Sequence, residues 1–412
     1  MCAMRRGRVL VAGGGIAGLA LGTALCRRGF AAVVLERSAR PERAGGGLVL
    51  APNAVKALDA VAPGLAGRVR DAGRPAGGRG TTGHRSAFLD ERGRVLGSVS
   101  FDGYEERWGA PAVTVLRADL HRLLRDAAGA AGVELVEGFA AARYADAGSR
   151  VELVARDGAV RHGDLLVGAD GVHSAVRAQL LRDGAPRYRG FTAVRGVGPA
   201  PAAHPDGFIA YGRGLVLFAA AIGGGEVYWV ASMNAPRGVV PALPAAEALA
   251  LVVERTGGWH PDLRKVPAGA DPAGCVAHDV LDRPPPRAWG RGRVALAGDA
   301  AHPMVYTLGQ GAGMALEDAA VLAAVLAAEP AAGGSASMGA GAVARALERY
   351  AAVRGPRVRK VVRQSRLLGQ VAHVRSPALA AIRDAILAAT TRGSGSQGGD
   401  LFGWTPPDQP HP

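Results

Sequence analysis

The chain has 412 residues, 49% hydrophobic and 20% charged, which excludes a disordered polymer and leaves room for roughly two domains of ordinary size. Net charge is +14, but the cations are scattered, only three are Lys (Lys56, Lys265, Lys360), and no basic block carries interleaved aromatics; a nucleic-acid partner is not expected, and anionic cofactors are. Three cysteines (Cys2, Cys26, Cys275) without metal-ligand spacing suit a reducing cytoplasm, and no uninterrupted run of about 18 apolar residues suggests a membrane span.

The N-terminus, MRRGRVLVAGGGIAGLALGTALC, imitates a secretion signal, but Gly13, Gly14, Gly15 and Gly18 would weaken a signal helix. A nucleotide-binding strand, turn and helix accounts for all four. The strand spans 8–12, the turn carries G-x-G-x-x-G as Gly13, Gly15 and Gly18, and a helix runs from about Ile16 to Arg28 with Gly29 as its C-cap. Gly13 permits the tight turn, Gly15 lets backbone approach a pyrophosphate, and Gly18 lets helix and strand pack closely. The helix N-terminus supplies unpaired N–H groups for the phosphates. Glu36 closes the next strand, AAVVLE, 21 positions after Gly15, where its carboxylate accepts from ribose hydroxyls and disfavours NADP relative to FAD or NAD.

Further along, ERAGGGLVLAPNAVKAL is a glycine loop in which Arg43 is either a solvated arginine or a cofactor contact, and SAFLDERGRVLGSV reads as a hairpin turning near 91–93. The strand AVTVL leads to Arg117 at a helix start, which is either a surface arginine or one whose guanidinium reaches flavin or phosphate oxygens. The apolar strand DLLVGA ends at Asp170, either a ligand-crevice residue or the cap of the following helix. FTAVRGV, GFIAYGRG, LVLFAAAIGGGEVYWVASM and GCVAHDVL are strands. RVALA then runs into GDAAHPMVYTLGQGAGMALEDAAVL: Asp299 at a strand end, a loop with Gly309, Gly311 and Gly313, and a helix from about Ala312. FAD is longer than one fingerprint can hold, and this second stretch fits the rest of it. Asp299 can accept from ribityl hydroxyls, and the helix points its positive end at the flavin edge that becomes anionic on reduction.

The pairs Glu105–Glu106 and Glu317–Asp318 read as solvated faces, and His302 as structural or cofactor-adjacent; no metal set and no nucleophilic triad emerges. Residues 331–342 read as an insertion between helices, 343–390 as helical, and the Gly- and Pro-rich end as a mobile tail.

Four motifs in order, GxGxxG with Glu36, VLRADLHRLL with Arg117, LLVGADGVHSAVR with Asp170, Gly171, Ser174 and Arg177, and GDAAHPMVYTLGQGAG, give the chain a resemblance to the class A flavoprotein monooxygenases, the para-hydroxybenzoate and salicylate hydroxylase family, over about residues 8–370. The resemblance implies an α/β fold: a Rossmann-like FAD-binding domain (1–75, 105–182 and 285–370) with an inserted, mostly β substrate domain (76–104 and 183–284), then a C-terminal helix (371–392) and the mobile tail (393–412). It implies non-covalent FAD with NADPH or NADH as transient reductant, and hydroxylation of an electron-rich aromatic or polyketide-like molecule by O2 through a flavin 4a-hydroperoxide. Epoxidation, Baeyer–Villiger insertion and reduction without oxygen remain open. A flavin halogenase is disfavoured, because no Trp-x-Trp-x-Ile-Pro segment is present. A non-enzymatic binding protein is disfavoured by the intact glycines and Asp299. Cofactor contacts are expected at Gly13, Gly15, Ile16, Ala17, Gly18, Glu36, Arg37, Arg43, Arg117, Asp170, Asp299, Gly309, Gly311 and Ala312. On the substrate side the candidates are Arg195, Tyr211, Arg213, Pro303 and Tyr306. A cytoplasmic monomer or homodimer is expected.

Three departures from the family pattern stand out. Tyr306-Thr307 replaces Pro-Phe, so the Tyr306 hydroxyl is either a substrate contact or simple packing. Gly313 replaces an Asn, which removes one loop or flavin hydrogen bond. Val194 replaces a Trp before Arg195, which suggests a roomier pocket for a polycyclic substrate.

Overall fold

A computed structural model describes residues 6–39, 46–80, 82–330, 337–391 and 399–407. The short apolar runs Arg8–Ala12, Ala31–Glu36, Leu165–Gly168 and Val294–Leu296 are buried almost throughout and form the parallel centre of a six-stranded sheet. Continuous apolar strands belong in such a sheet because both its faces are covered; here helix Ile16–Cys26 and a three-stranded sheet of Ala141–Asp146, Val151–Ala155 and Val160–Gly163 pack against it. Arg8–Ala12 lies between Ala31–Glu36 and Leu165–Gly168, with Val9 opposite Ala32 and Leu165; Glu134–Glu137 and Gly290–Arg291 form the edges. Chain order reverses beside Arg8–Ala12, which leaves a crevice at the strands' carboxyl ends.

Helix Ile16–Cys26 packs against helix Gly311–Ala328, which also touches Pro52–Val61 and Ala340–Ala372. Gly311–Ala328 has 18 residues and a mean hydropathy of 1.6, so by length and composition it is apolar enough to cross a membrane. It is interrupted by Glu317 and Asp318, so it is not an uninterrupted apolar run. Here the helix forms part of the protein core, with its middle residues buried.

The second sheet has seven strands, in the order Val276–Asp282, Arg187–Pro199, Glu226–Asn234, Leu215–Gly223, Gly207–Tyr211, Arg85–Asp90 and Val95–Ser100. Alternation along Glu226–Asn234 separates its faces. Val227, Trp229, Ala231 and Met233 join a core with residues of helices Ala245–Arg255 and Pro261–Ala268, while Tyr228, Val230 and Ser232 face a cleft. Val194 pairs with Ala231 and belongs to that core. Its small side chain therefore does not widen the cleft, and the inference of a roomier pocket drawn from it is withdrawn. The neighbouring Arg195 takes the cleft side.

Within residues 393–412, expected as a mobile tail, the described residues are 399–407. Gly399–Phe402 forms a turn of helix whose Phe402 ring meets Tyr104 at 5.6 Å and Trp108 at 6.2 Å. Arg357 donates to the carbonyls of Asp400 and Leu401 at 2.9 and 2.7 Å.

Candidate active site

A cleft of about 1160 Å³ lies between the carboxyl ends of the parallel strands and the inner face of the seven-stranded sheet. Two helix N-termini open into it. Gly15 precedes Ile16–Cys26 and Gln310 precedes Gly311–Ala328, and neither residue caps its helix through a side chain. The first-turn N–H groups of both helices are thus available to an anionic ligand. A Cβ built on Gly15 or Gly311 would meet nothing within 4 Å, so the space in front of both is open. At Gly18 the opposite holds: a Cβ would overlap the Gly13 carbonyl oxygen. At Gly13, φ is +106° and a Cβ would overlap the Ala169 carbonyl.

Gly15, Ile16, Ala17, Arg117, Asp299, Gly309, Gly311 and Ala312 all line the cleft, as do Arg195, Tyr211, Pro303 and Tyr306. Gly13, Gly18, Glu36, Arg37 and Asp170 do not line it. Glu36 instead accepts from Gly14 N–H at 2.6 Å and Ser38 N–H at 2.8 Å, which fixes the turn. Asp170 accepts from the Ser174 hydroxyl and from Ala175 and Val176 N–H at 2.8 and 3.3 Å, so it caps helix Ala175–Leu181. Burial raises its pKa. Its neighbours Gly171, Val172 and His173 present to the cleft. Arg213 does not line the cleft either, and Arg43 lies outside the described residues.

Asp299 projects into the cleft from the turn Gly298–Ala300. It is open to the space within the cleft yet surrounded by protein, and that enclosure raises its pKa against the pull of His302 and Arg117. A buried ionic cluster holds the turn in place. Gly298 N–H donates to Asp318 at 2.9 Å, and His302 Nε2 lies 2.6 Å from the same carboxylate oxygen. Arg354 reaches Asp318 at 2.7 Å and also pairs with Glu317, which receives two bonds of 2.7 Å from Arg357. Burial pushes the Asp318 carboxyl up, but His302 and Arg354 outweigh it and hold the pKa low. Glu317 and Asp318 are thus fully buried rather than solvated, because helix Ala340–Ala372 brings their arginines alongside. His302 is structural.

Gly313 leaves a space filled by Asn53, whose amide lies 3.2 Å from where a Cβ would be. Asn53 donates to Gln310 at 3.0 Å and Glu317 at 2.7 Å, so a side chain from another helix ties down this loop. Sequence spacing gave no sign of it, since Asn53 and Gln310 are 257 positions apart.

On the sheet side, Arg195 Nη2 lies 2.8 Å from His278 Nε2. Burial, then Arg195 and Arg117, depress the His278 pKa to about 3, so the ring is neutral. Gly46 and Gly47 lie against the ring of Tyr228, where a Cβ on Gly46 would overlap the ring. Burial raises the pKa of Tyr228, pushes Tyr211 up to about 12, and raises Tyr306 further. The Tyr306 hydroxyl has no hydrogen-bond partner of normal geometry, although Ser232 pulls on it.

Residues 6–195 and 285–365 match the FAD binding domain family. The chain belongs to the FAD-dependent aromatic monooxygenases. It is 37% identical over 368 residues to the aurachin C monooxygenase/isomerase of Stigmatella aurantiaca, covering 88% of this chain and 89% of that one. It is 34% identical to the 3-amino-4-hydroxybenzoate 2-monooxygenase of Streptomyces cremeus, covering 89% and 88%. HpxO of Klebsiella pneumoniae, solved with FAD and uric acid, superimposes with a TM-score of 0.80 at 28% identity, over 93% of this chain and 92% of that one. The fold is that of the para-hydroxybenzoate hydroxylase group, and the enzyme is an oxidoreductase that takes FAD, a reduced nicotinamide and O2.

The residues present fit FAD. The open face of Gly15 and the uncapped helix behind it suit the pyrophosphate. Asp299 offers an acceptor to hydroxyls. The second uncapped helix, at Gly311, suits an edge that gains negative charge.

Proposed function

We propose that this enzyme hydroxylates an electron-rich aromatic ring carrying a carboxylate, phenolate or similar acidic group. Arg195 carries the reading. Its side chain lines the cleft, it has no carboxylate partner among the described residues, and its buried Nε lacks a hydrogen bond. An arginine left in this state is stabilised by an anionic ligand. His278 beside it, held neutral, adds no competing charge. The names of two relatives support the class, since one acts on an aminohydroxybenzoate and the other was solved with uric acid.

In this reading, the residues named above would hold FAD, which would supply the redox chemistry between NAD(P)H, O2 and the substrate ring. Asp299 and the Gly311 helix hold and polarise the cofactor. Arg195 orients the ring through its anionic group. Tyr306, with a hydroxyl that keeps its proton at neutral pH, contacts a polar substituent. Val230, Phe218 and Leu308 exclude water from the cleft. Pro303 fixes the backbone beside the ring. No strong acid–base pair is required, because the cofactor supplies the chemistry. We also place the enzyme in the cytoplasm, a reading supported by its low cysteine count of three in 412 residues, and expect a monomer or homodimer.

The visible spectrum of the purified protein tests this first. Flavin bands that bleach with NADPH under anaerobic conditions and return in air are expected. Hydroxybenzoates should then accelerate bleaching in the parent enzyme and lose that effect in Arg195→Ala. Acceleration that survives Arg195→Ala would sink the assignment of the anion site.

A further inference from the structure

The mouth of the cleft is apolar and open. Leu368, Val371 and Ile386 line the cleft, yet they are 46%, 41% and 57% exposed. The helix Pro377–Thr391 extends this surface outward. Arg383, Ile386, Leu387 and Thr390 line the cleft, at helical spacings that put them on one face. Leu379, Ile382 and Ile386, also at helical spacing, form an adjoining face, with Leu379 53% and Ile382 55% exposed. Ile386 belongs to both faces, so the apolar strip runs without a break from the cleft to the outside.

The only charges between Pro377 and Thr390 are Arg383 and Asp384. They pair at 2.8 Å, and Arg383 also donates to the Gly212 and Ala372 carbonyls at 2.9 and 3.1 Å, which pins the helix over the cleft. Between those ends, Pro377 and Thr390, the exposed residues are Leu, Ile and Ala. A helix lying on a membrane carries Lys or Arg beside its apolar face, and this one has none exposed.

We propose that the substrate bears an apolar chain, which leaves the cleft between Leu368 and Ile386 and lies along Leu379 and Ile382. This rests on the reading of the cleft as an aromatic hydroxylation site and names the second half of its substrate. The ring and its acidic group sit at Arg195, and the chain adds affinity by covering the strip. Each methylene taken from water is worth about two- to fourfold in binding, depending on how completely it is covered.

The test uses the FAD-loaded full chain and 2,4-dihydroxybenzoate with its 6-methyl, 6-pentyl and 6-nonyl homologues. Flavin fluorescence gives Kd, and NADPH consumption gives stimulation. Affinity is expected to climb with chain length, by about a hundredfold or more from methyl to nonyl. The double variant Leu379→Ser/Ile382→Ser is expected to collapse that ratio toward one. Equal Kd across the series in the parent enzyme would overturn the chain site while leaving the ring site standing. If no member binds, both readings fall. Size-exclusion light scattering and co-sedimentation with phosphatidylglycerol vesicles identify the other occupants. A dimer dissolved by the double variant, or vesicle binding lost in it, together with no chain-length effect, would reassign the strip to a second copy or to a membrane.

Discussion

The hydroxyl of Ser232 lies 2.8 Å from Nε2 of His373, whose other ring nitrogen lies 2.8 Å from the Gly369 carbonyl oxygen. A carbonyl only accepts, so Nδ1 carries the proton and Nε2 accepts from Ser232. The Phe191 ring stacks on the imidazole at 3.8 Å. The Ser232 proton is thereby committed away from Tyr306, which leaves the serine oxygen as an acceptor beside the cleft.

Burial depresses the His373 pKa from 6.5 to about 4. Between those values the unfolded chain binds a proton that the native protein refuses, so His373 removes stability as pH falls from 6.5 toward 4. By pH 5 its share is about 2 kcal/mol. Urea unfolding at pH 7.5, 6 and 5 is expected to show the gap between the parent and His373→Gln narrowing by that amount. A gap independent of pH would contradict a buried neutral imidazole.

Replacing Arg354 leaves Glu317 and Asp318 buried without their main counter-charge. Loss of one partner of such a cluster costs roughly 3–5 kcal/mol. Arg354→Met is expected to fall well below the parent in thermal unfolding and to retain less FAD, because Gly298 and His302 lose their fixed acceptor. Arg354→Lys should recover only part, since Arg354 serves Asp318 and Glu317 together through separate nitrogens. An Arg354→Met protein that keeps full FAD content would show that the cluster does not position Asp299.

What was legible in the sequence depended on how local the cause was. The roles of Gly13, Gly15 and Gly18 follow from one strand, turn and helix, and each is visible within a few residues. The burial of Glu317 and Asp318 was not legible, because two adjacent acids on a helix read as solvated until Arg354, 36 positions beyond Asp318, is brought alongside. Asp170 had two readings at sequence level, and its hydrogen bonds make it a helix cap. Val194 misled because its neighbour Arg195 faces the cleft, and alternation along a strand puts the two on opposite sides. Asn53 was invisible because its partner is 257 positions away.

Two glycines of the same motif should respond differently to one methyl group. At Gly18 a Cβ would overlap the Gly13 carbonyl, so Gly18→Ala must separate helix from strand. At Gly15 a Cβ meets open space and φ is −76°, which alanine adopts freely. Gly15→Ala is therefore expected to match the apoprotein's thermal stability and yet bind FAD at least tenfold more weakly, while Gly18→Ala loses stability outright. Equal stability of the two variants would refute the close packing at Gly18.

Asp299 sets stability against cofactor binding. Its pKa is raised above the unfolded value of 3.8, with enclosure as the largest cause. An acid shifted upward stabilises the fold only at low pH, and that contribution is lost as pH rises through the native pKa. At neutral pH the Asp299 carboxylate is thus a burden on the apoprotein, as expected of a group kept for a ligand. Asp299→Ala should raise the melting temperature of the apoprotein at pH 7.5 while weakening FAD on the order of tenfold or more, the worth of a hydrogen bond to a charged acceptor. The stabilisation should fade as melting is repeated at progressively lower pH, as the parent carboxyl takes up its proton. An apoprotein that melts lower as Asp299→Ala at pH 7.5 would mean that Asp299 supports the fold, and the cofactor's hydroxyls would need another acceptor.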